Sequence, residues 1–444
     1  MKLRNTQRGA ILVFAVVFLV YVFPIAYDLG YKPFFNYTAG QDVASTSMLP
    51  LRILQHGDFW LDEYLGFFEQ NWISPGMIAQ VKGHTVSRSP VAAAVLAIPF
   101  YGIPLGTGWI AKPPQDWLAY PWSGFFPGKF AAAFMSACAA LMFFFCAREL
   151  TDVRTSIVLA LVFAFGTSLW STATQGLWQQ TPSVFLQTIA IWFILRGRRA
   201  GSAAIVPAAF FLSAATISRP NDALPALLFT VYLLIEYRSA FPRWVLWAIP
   251  PALFFMAYNA IYNGSPFVFG YQEGFQADMT VPQLNGIVGL ILSPSRGLLV
   301  YSPFFVFALV GAWLAARESE RRFYLFTGLN VVLGTVLISM FIPWDAGWGY
   351  GTRYMTDLLP YLMLFLVPVF ERLHGWGLGV FVVMAIYAGI VQSFGLWDYG
   401  ERWHWHWTNY QYNVWDVREN EPLFYLKQYM AMAQRFLLRF VHRS

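Results

Sequence analysis

Long apolar runs alternate with short basic connections over most of the 444-residue chain. Hydrocarbon offers the backbone no hydrogen-bond partner, so a run of about 20 apolar residues in such a setting predicts a membrane-crossing helix. Eleven runs qualify: 10–28, 128–147, 155–172, 182–196, 202–218, 222–237, 243–262, 297–315, 323–342, 355–370 and 378–396. The pattern predicts an all-α, polytopic membrane protein. Residues 1–396 form its transmembrane domain, including a first outer loop over 29–127. Residues 397–444 form an outer-face or interfacial segment. Tyr27, Asp28, Leu29 and Gly30 follow the first run with no small-residue cleavage site, so it is read as a span and not as a cleaved leader.

The basic residues give the orientation. Lys2, Arg4 and Arg8 precede the first run; Arg148 and Arg154, Arg196, Arg198 and Arg199, Arg238 and Arg243, Arg317, Arg321 and Arg322, and Arg372 follow alternate ones. All fall on the cytoplasmic side, as the positive-inside rule requires, if the N-terminus is cytoplasmic and the apolar stretch 90–106 does not cross. That stretch is accordingly expected to lie along the membrane or to re-enter it. The long segments 29–127, 263–296, 343–354 and 397–444 then share the outer side, and their Trp, Tyr, Gly and Pro content suits an interface. Stretch 424–439, with Lys427, Arg435 and Arg439, either crosses or lies on the membrane.

Composition agrees. Hydrophobic residues make up 57% and charged residues 12%, about half the charged share of a soluble domain. The net charge of +6 is dispersed in short clusters between apolar runs, which argues against a nucleic-acid partner. Cys138 and Cys146 sit in one run, eight residues apart, and are not expected to bridge.

Candidate chemistry lies in the outer segments. Asp42, just before an apolar-periodic run, is either a helix cap or a catalytic carboxylate. Asp62 and Glu63 follow in HGDFWLDEY, and a sugar or metal site is compatible with either. Lys82, His84 and Arg88 gather positive charge before 90–106, where a lipid phosphate would be met. Trp178 stands in an uncharged turn rich in amides, suited to a sugar or to a plain interface. In ISRPNDALP, Arg219 and Asp222 form either an ion pair or part of a pocket, ionisable groups at this depth being costly unless paired or functional. Arg296 lies between Pro294 and Gly297, with room for a phosphate beside its guanidinium. PWDAGWGYGTRYMTD brings together Trp344, Asp345, Trp348, Tyr350, Arg353, Tyr354 and Asp357; helical spacing pairs Arg353 with Asp357. His404 and His406 would share a face on a strand, where a metal needs a third ligand that the sequence does not offer.

The segments QDVASTSMLPLRILQHGDFWLDEY, GHTVSRSPVAAAVLAIPFY, LILSPSRGLLVYSPFF and GWGYGTRYMTDLLPYL resemble the GT-C superfamily of membrane glycosyltransferases. That group includes protein O-mannosyltransferases and the aminoarabinose transferases of lipid A. The resemblance covers nearly the whole chain. It implies a GT-C fold and an inverting enzyme that takes a sugar from a polyprenyl-phosphate donor to a glycan, lipid or protein acceptor on the outer face of a bacterial inner membrane. Asp42 matches the catalytic base of the family, and Arg296 and Arg353 match basic positions. Many relatives carry Asp-Glu where this chain has Asp42-Val43, which weakens the implied metal role, although a divalent metal stays possible. A glycolipid transporter or flippase, or a non-catalytic polysaccharide-assembly component, fits the same pattern of spans.

Overall fold

The computed structural model describes residues 2–31, 42–70, 77–108, 122–268, 279–347, 349–396, 401–406 and 413–441. It is mostly helical. In chain order the helices are α1 Lys2–Tyr31, α2 Asp42–His56, α3 Leu65–Gln70, α4 Ala92–Gly106, α5 Trp122–Leu150, α6 Val153–Phe165, α7 Gln180–Ala200, α8 Ser202–Ile205, α9 Ala208–Ser218, α10 Ala223–Glu236 and α11 Phe241–Tyr262. They continue with α12 Leu284–Leu292, α13 Leu298–Tyr301, α14 Val306–Ala315, α15 Arg321–Ser339, α16 Leu359–Leu364, α17 Leu366–Phe370, α18 Gly375–Phe394, α19 Glu401–His406 and α20 Glu421–Val441.

Every apolar run of the sequence is helical, but not every run is one helix. Among the described residues, five helices are long and apolar enough to cross a membrane: Arg4–Ile25, Phe126–Leu150, Arg238–Tyr262, Arg321–Ser339 and Gly375–Phe394. The protein is thus a multi-helix membrane protein with five candidate spans. Other runs are interrupted for local reasons. In 297–315, Pro303 lacks the N–H that would continue α13, and a short 3-10 turn, Pro303–Phe305, intervenes before α14. Run 355–370 opens as a 3-10 turn, Arg353–Leu358, and then divides into α16 and α17. Run 155–172 stops at Phe165 and resumes as a π turn, Leu169–Ala173.

Helix α5 is central, packing on α1, α6 and α7, and α7 in turn packs on α9. Small residues allow this closeness. A Cβ on Gly311 would lie 1.7 Å from the Phe365 carbonyl oxygen, so α14 crosses the α16–α17 junction at backbone contact. At the start of α6, Asp152 accepts from the Arg154 and Thr155 backbone N–H groups at 2.7 and 3.3 Å, a side-chain N-cap.

The basic connections gather at one end of the bundle. Arg199 lies 3.4 Å from Glu149, Arg198 bonds Glu320, Arg322 bonds Glu236, and Arg372 bonds Glu318 at 2.9 Å. Gly9 of α1 reaches the same end, against Phe144, Val153 and Ile157. Connections far apart in sequence therefore form one belt of ion pairs, which is the clustering that the arginine pattern required.

The all-α expectation needs one amendment. Ile78–Val81 (β1) and His84–Ser87 (β2) pair antiparallel, with Val81 opposite His84. Lys82 and Gly83, at φ +53° and +84°, make the two-residue turn; positive φ at both positions suits the twist of a tight hairpin. Val86 of the hairpin and Val91, just before α4, form a cluster with Ile217, Tyr258 and Tyr262 at the end of the bundle opposite the belt. Stretch 90–106 is mostly the helix α4, Ala92–Gly106, with Pro99 and Pro104 inside it.

Candidate functional site

The polar side chains of interest lie at the end opposite the belt, around the turn between α9 and α10. Arg219 has extended backbone at φ −154°, which ends α9. Pro220–Asp222 then makes a 3-10 turn into α10. This swings Arg219 and Asp222 apart. The expected Arg219–Asp222 and Arg353–Asp357 pairs are replaced by a longer-range set. Arg219 Nη1 donates to Asp357 Oδ2, across 138 residues of sequence. Asp222 is held by neutral donors, Ser183 Oγ at 2.6 Å and Gln187 Nε2 at 3.0 Å, and Ser183 also reaches Asp357 at 3.2 Å. Arg353 donates to the Ala346 carbonyl at 2.8 Å and lies 4.5 Å from the centre of the Trp178 ring. Both Arg219 and Arg353 lie 5.5 Å from the Tyr354 ring. Segment 353–358 being 3-10, with three residues per turn, positions four apart no longer share a face.

Two small cavities, each of about 20 Å³, flank this turn. The inner one is bordered by Gln187, Asp222, Asp357 and Asn330. Asn330 lies in the middle of α15, fully buried, with neither side-chain polar atom bonded among the described residues. The outer one is a cleft bordered by Arg88, Pro220, Tyr258, Asn259 and Asn263. Asn259 Oδ1 accepts from Asn263 at 2.8 Å, but the buried Asn259 Nδ2 and Tyr258 hydroxyl have no partner among the described residues. Two such donors beside an arginine are suited to an anion.

The sequence-predicted residues divide between this region and structural roles. Asp42 is the first residue of α2, and its side chain lies outside the described residues. Three residues on, Ser45 Oγ accepts from Ser87 Oγ at 2.9 Å, and Ser87 precedes Arg88. The first turn of α2 thus abuts the strand that leads into the cleft. Trp178, Arg219, Asp222 and Arg353 belong to the buried network just described.

The others have structural partners or positions of their own. Lys82 is exposed at the hairpin tip, a turn residue and not part of a phosphate pocket. Asp62 accepts from the Thr85 N–H at 2.5 Å and faces His84 Nδ1 at 2.7 Å, fastening the hairpin to the 3-10 turn Asp62–Tyr64. Burial works to raise the Asp62 pKa, but these bonds hold it below the usual range. Glu63 lies 3.4 Å from Arg52 and 3.7 Å from His56. Arg52 also clasps Asp58 at 2.5 and 2.7 Å and holds that carboxyl low.

Arg296 does not face an open phosphate site. It is 1% exposed, and its donors meet the carbonyls of Asp345, Ser295 and Gly347 and the carboxylate of Glu421. Glu421 in turn accepts from the Tyr301 hydroxyl at 2.6 Å and the Gly351 N–H at 2.9 Å. Asp345 accepts from the Gly347 N–H at 2.9 Å. Trp344 is buried with its indole where a Cβ on Gly289 would sit. The Tyr350 hydroxyl donates to the Val391 carbonyl at 2.5 Å. Trp348 lies outside the described residues. His404 and His406 stand on a short helix, where residues two apart point differently: His404 is buried 3.1 Å from Arg296, and His406 is exposed 3.7 Å from Glu419. Among the described residues no group of three or more His, Cys, Asp or Glu is placed to hold a metal.

Ser183, Gln187, Tyr258, Asn259, Asn330 and Glu421 were not singled out from sequence. Gln187 and Asn330 carried a signal, being amides inside apolar runs. No family model matches the chain, and no curated protein matches it significantly.

Proposed function

We propose that the protein is an inverting glycosyltransferase of the GT-C type, moving a sugar from a polyprenyl-phosphate carrier to an acceptor hydroxyl at the end of the bundle opposite the ion-pair belt. The observation that carries this reading is the Ser45–Ser87 bond, which sets the helix turn headed by Asp42 against the strand running into the Arg88 cleft. In this reading Asp42 takes the proton of the acceptor hydroxyl as that oxygen attacks the anomeric carbon, and the carrier phosphate departs. Arg88, with the Tyr258 hydroxyl and Asn259 amide, stabilises the phosphate charge as the glycosidic bond breaks. Helix α4, apolar and next to the cleft, offers a wall for the lipid tail. The eleven apolar runs are proposed to traverse a bacterial inner membrane, wholly or in part, with the N-terminus and the belt cytoplasmic.

The test is reconstitution of wild type and Asp42→Asn with a panel of polyprenyl-phosphate sugars and candidate acceptors. Asn keeps the shape and removes the basic oxygen, so transfer should fall by about 10²–10⁴-fold while the protein stays folded. A folded Asp42→Asn protein that transfers sugar at the wild-type rate rejects the base.

One observation favours a second reading. The inner cavity places Asp222, Asp357 and the unsatisfied Asn330 inside the bundle, and buried ionisable groups of this kind mark ion pathways in transporters. Movement of a fluorescent glycolipid across sealed vesicles, abolished by Asp222→Asn and unaffected by Asp42→Asn, would establish a flippase instead.

A further inference from the structure

Helix α20 is fixed at its start and open beyond it. Asn420 Oδ1 accepts from the Leu423 N–H at 3.0 Å, and the Glu421 N–H donates to Ser295 Oγ at 3.1 Å. The Glu421 carboxylate is clasped by Arg296, Tyr301 and Gly351. Pro422 and Tyr425 are buried, and Tyr429 donates its hydroxyl to the Phe394 carbonyl at 3.2 Å. Beyond Tyr429, residues 430–435 and 438 are exposed. Leu426, Met430 and Ala433 follow at spacings of four and three, forming one apolar stripe beside the docked tyrosines. Lys427, Gln428 and Arg435 lie off that stripe, Gln428 and Arg435 on the side away from Met430, while Gln434, four residues after Met430, borders it. After Glu421 the chain has no acidic residue, but it has Lys427, Arg435, Arg439 and Arg443.

We infer that α20 lies on the surface of an anionic lipid bilayer, with the Leu426–Met430–Ala433 stripe in the headgroup region and its cations over lipid phosphates. Three observations select lipid over a protein partner. The helix docks at Phe394, the last residue of the candidate span α18, so it leaves the bundle at the level where that span ends. One turn before Phe394, Ile390 is exposed, and Val383 and Ile386 continue that exposed face along the span; the stripe therefore adjoins the bundle's own lipid-facing surface. The uniform positive charge complements anionic headgroups, while a helix-binding groove in a protein reads anchors without requiring it.

The experiment uses the full chain with Cys138 and Cys146 replaced by Ala, carrying a single cysteine at Met430 or at Gln428. Each is labelled with an environment-sensitive dye and placed in nanodiscs of phosphatidylethanolamine and phosphatidylglycerol. The dye at 430 should shift to the blue and lose intensity when the lipids carry a shallow quencher, and the dye at 428 should do neither. Replacing phosphatidylglycerol with phosphatidylcholine, or Lys427→Glu with Arg435→Glu, should reduce the quenching at 430. Both positions are exposed, so labelling does not open the bundle. Equal, water-like signals at the two positions overturn the inference. So does protection of position 430 that rises with protein concentration without lipid quenching, which would assign the stripe to a second copy of the chain. Quenching at 430 indifferent to lipid charge and to the charge reversals overturns the anionic preference.

Discussion

Arg219 and Asp357 form an ion pair in the bundle interior, both side chains nearly excluded from solvent, and it joins the end of α9 to the 3-10 turn before α16. Asp222, three residues from Arg219, takes Ser183 and Gln187 in its place. The arrangement gives three helices and one turn a shared polar centre beside the Arg88 cleft.

Removing one partner strands a buried charge. Arg219→Met or Asp357→Leu should therefore destabilise the protein by about 3–5 kcal/mol. The double replacement Arg219→Met with Asp357→Leu should cost less than the sum of the singles. Thermal unfolding of the four proteins in detergent measures this coupling; additive losses would mean the pair contributes nothing as a pair.

Loss of Arg88 should act mainly on the donor phosphate. For Arg88→Ala the expected deficit is about 1.5–3 kcal/mol, the range for a hydrogen bond to a charged group, seen as a lower rate at limiting donor with a smaller fall in melting temperature than Arg296→Ala gives. Arg296→Ala should do the reverse, lowering the melting temperature strongly because Glu421 is left buried without its cation. Steady-state kinetics over a range of donor concentrations, paired with melting curves, separates the two.

The β1–β2 hairpin should be acid-sensitive. Arg52 holds the Asp58 carboxyl below its usual pKa, and the Thr85 N–H and His84 do so for Asp62. A carboxylate depressed in the folded state contributes stability that is complete above the unfolded value, about 4, and is lost as pH falls through the folded value. Amide exchange in 78–87, corrected for intrinsic rate, should be flat between neutrality and about pH 5 and should accelerate below about pH 4. Asp62→Asn should remove most of that acceleration.

Sidedness is testable without knowing the substrate. Ala203, exposed near the belt, and Gln80, exposed on the hairpin, lie at opposite ends of the bundle. Single cysteines there, with Cys138 and Cys146 replaced, should react with an impermeant reagent from opposite sides of a sealed cell, Gln80→Cys from outside. Labelling of Ala203→Cys from outside would invert the proposed topology.

The helices were legible because hydrocarbon-facing runs announce themselves by composition, and the arginine clusters because their common end is a consequence of that alternation. The hairpin was not, since Lys82-Gly83 is a weaker turn signal than Asn-Gly and its strands are short and mixed. The pairing of Arg353 with Asp357 failed because i,i+4 reasoning assumes an α-helix where the chain is 3-10. Arg296 looked accessible among small residues, yet those residues admit the chain's own carbonyls and Glu421, a partner 125 positions away that no local pattern indicates.

The belt of ion pairs has a mechanical consequence. Its links join connections that are not neighbours in the chain, Glu149 to Arg199, Arg198 to Glu320, Glu318 to Arg372, and Glu236 to Arg322. Each exposed pair is weak by itself, but together they favour keeping these helix ends close, so any parting of the tied helices would be greater at the far end, which carries the hairpin and the Arg88 cleft. On the proposed transferase reading, the lipid-borne donor is met at that far end, and the cations of the belt serve the fold and not the donor.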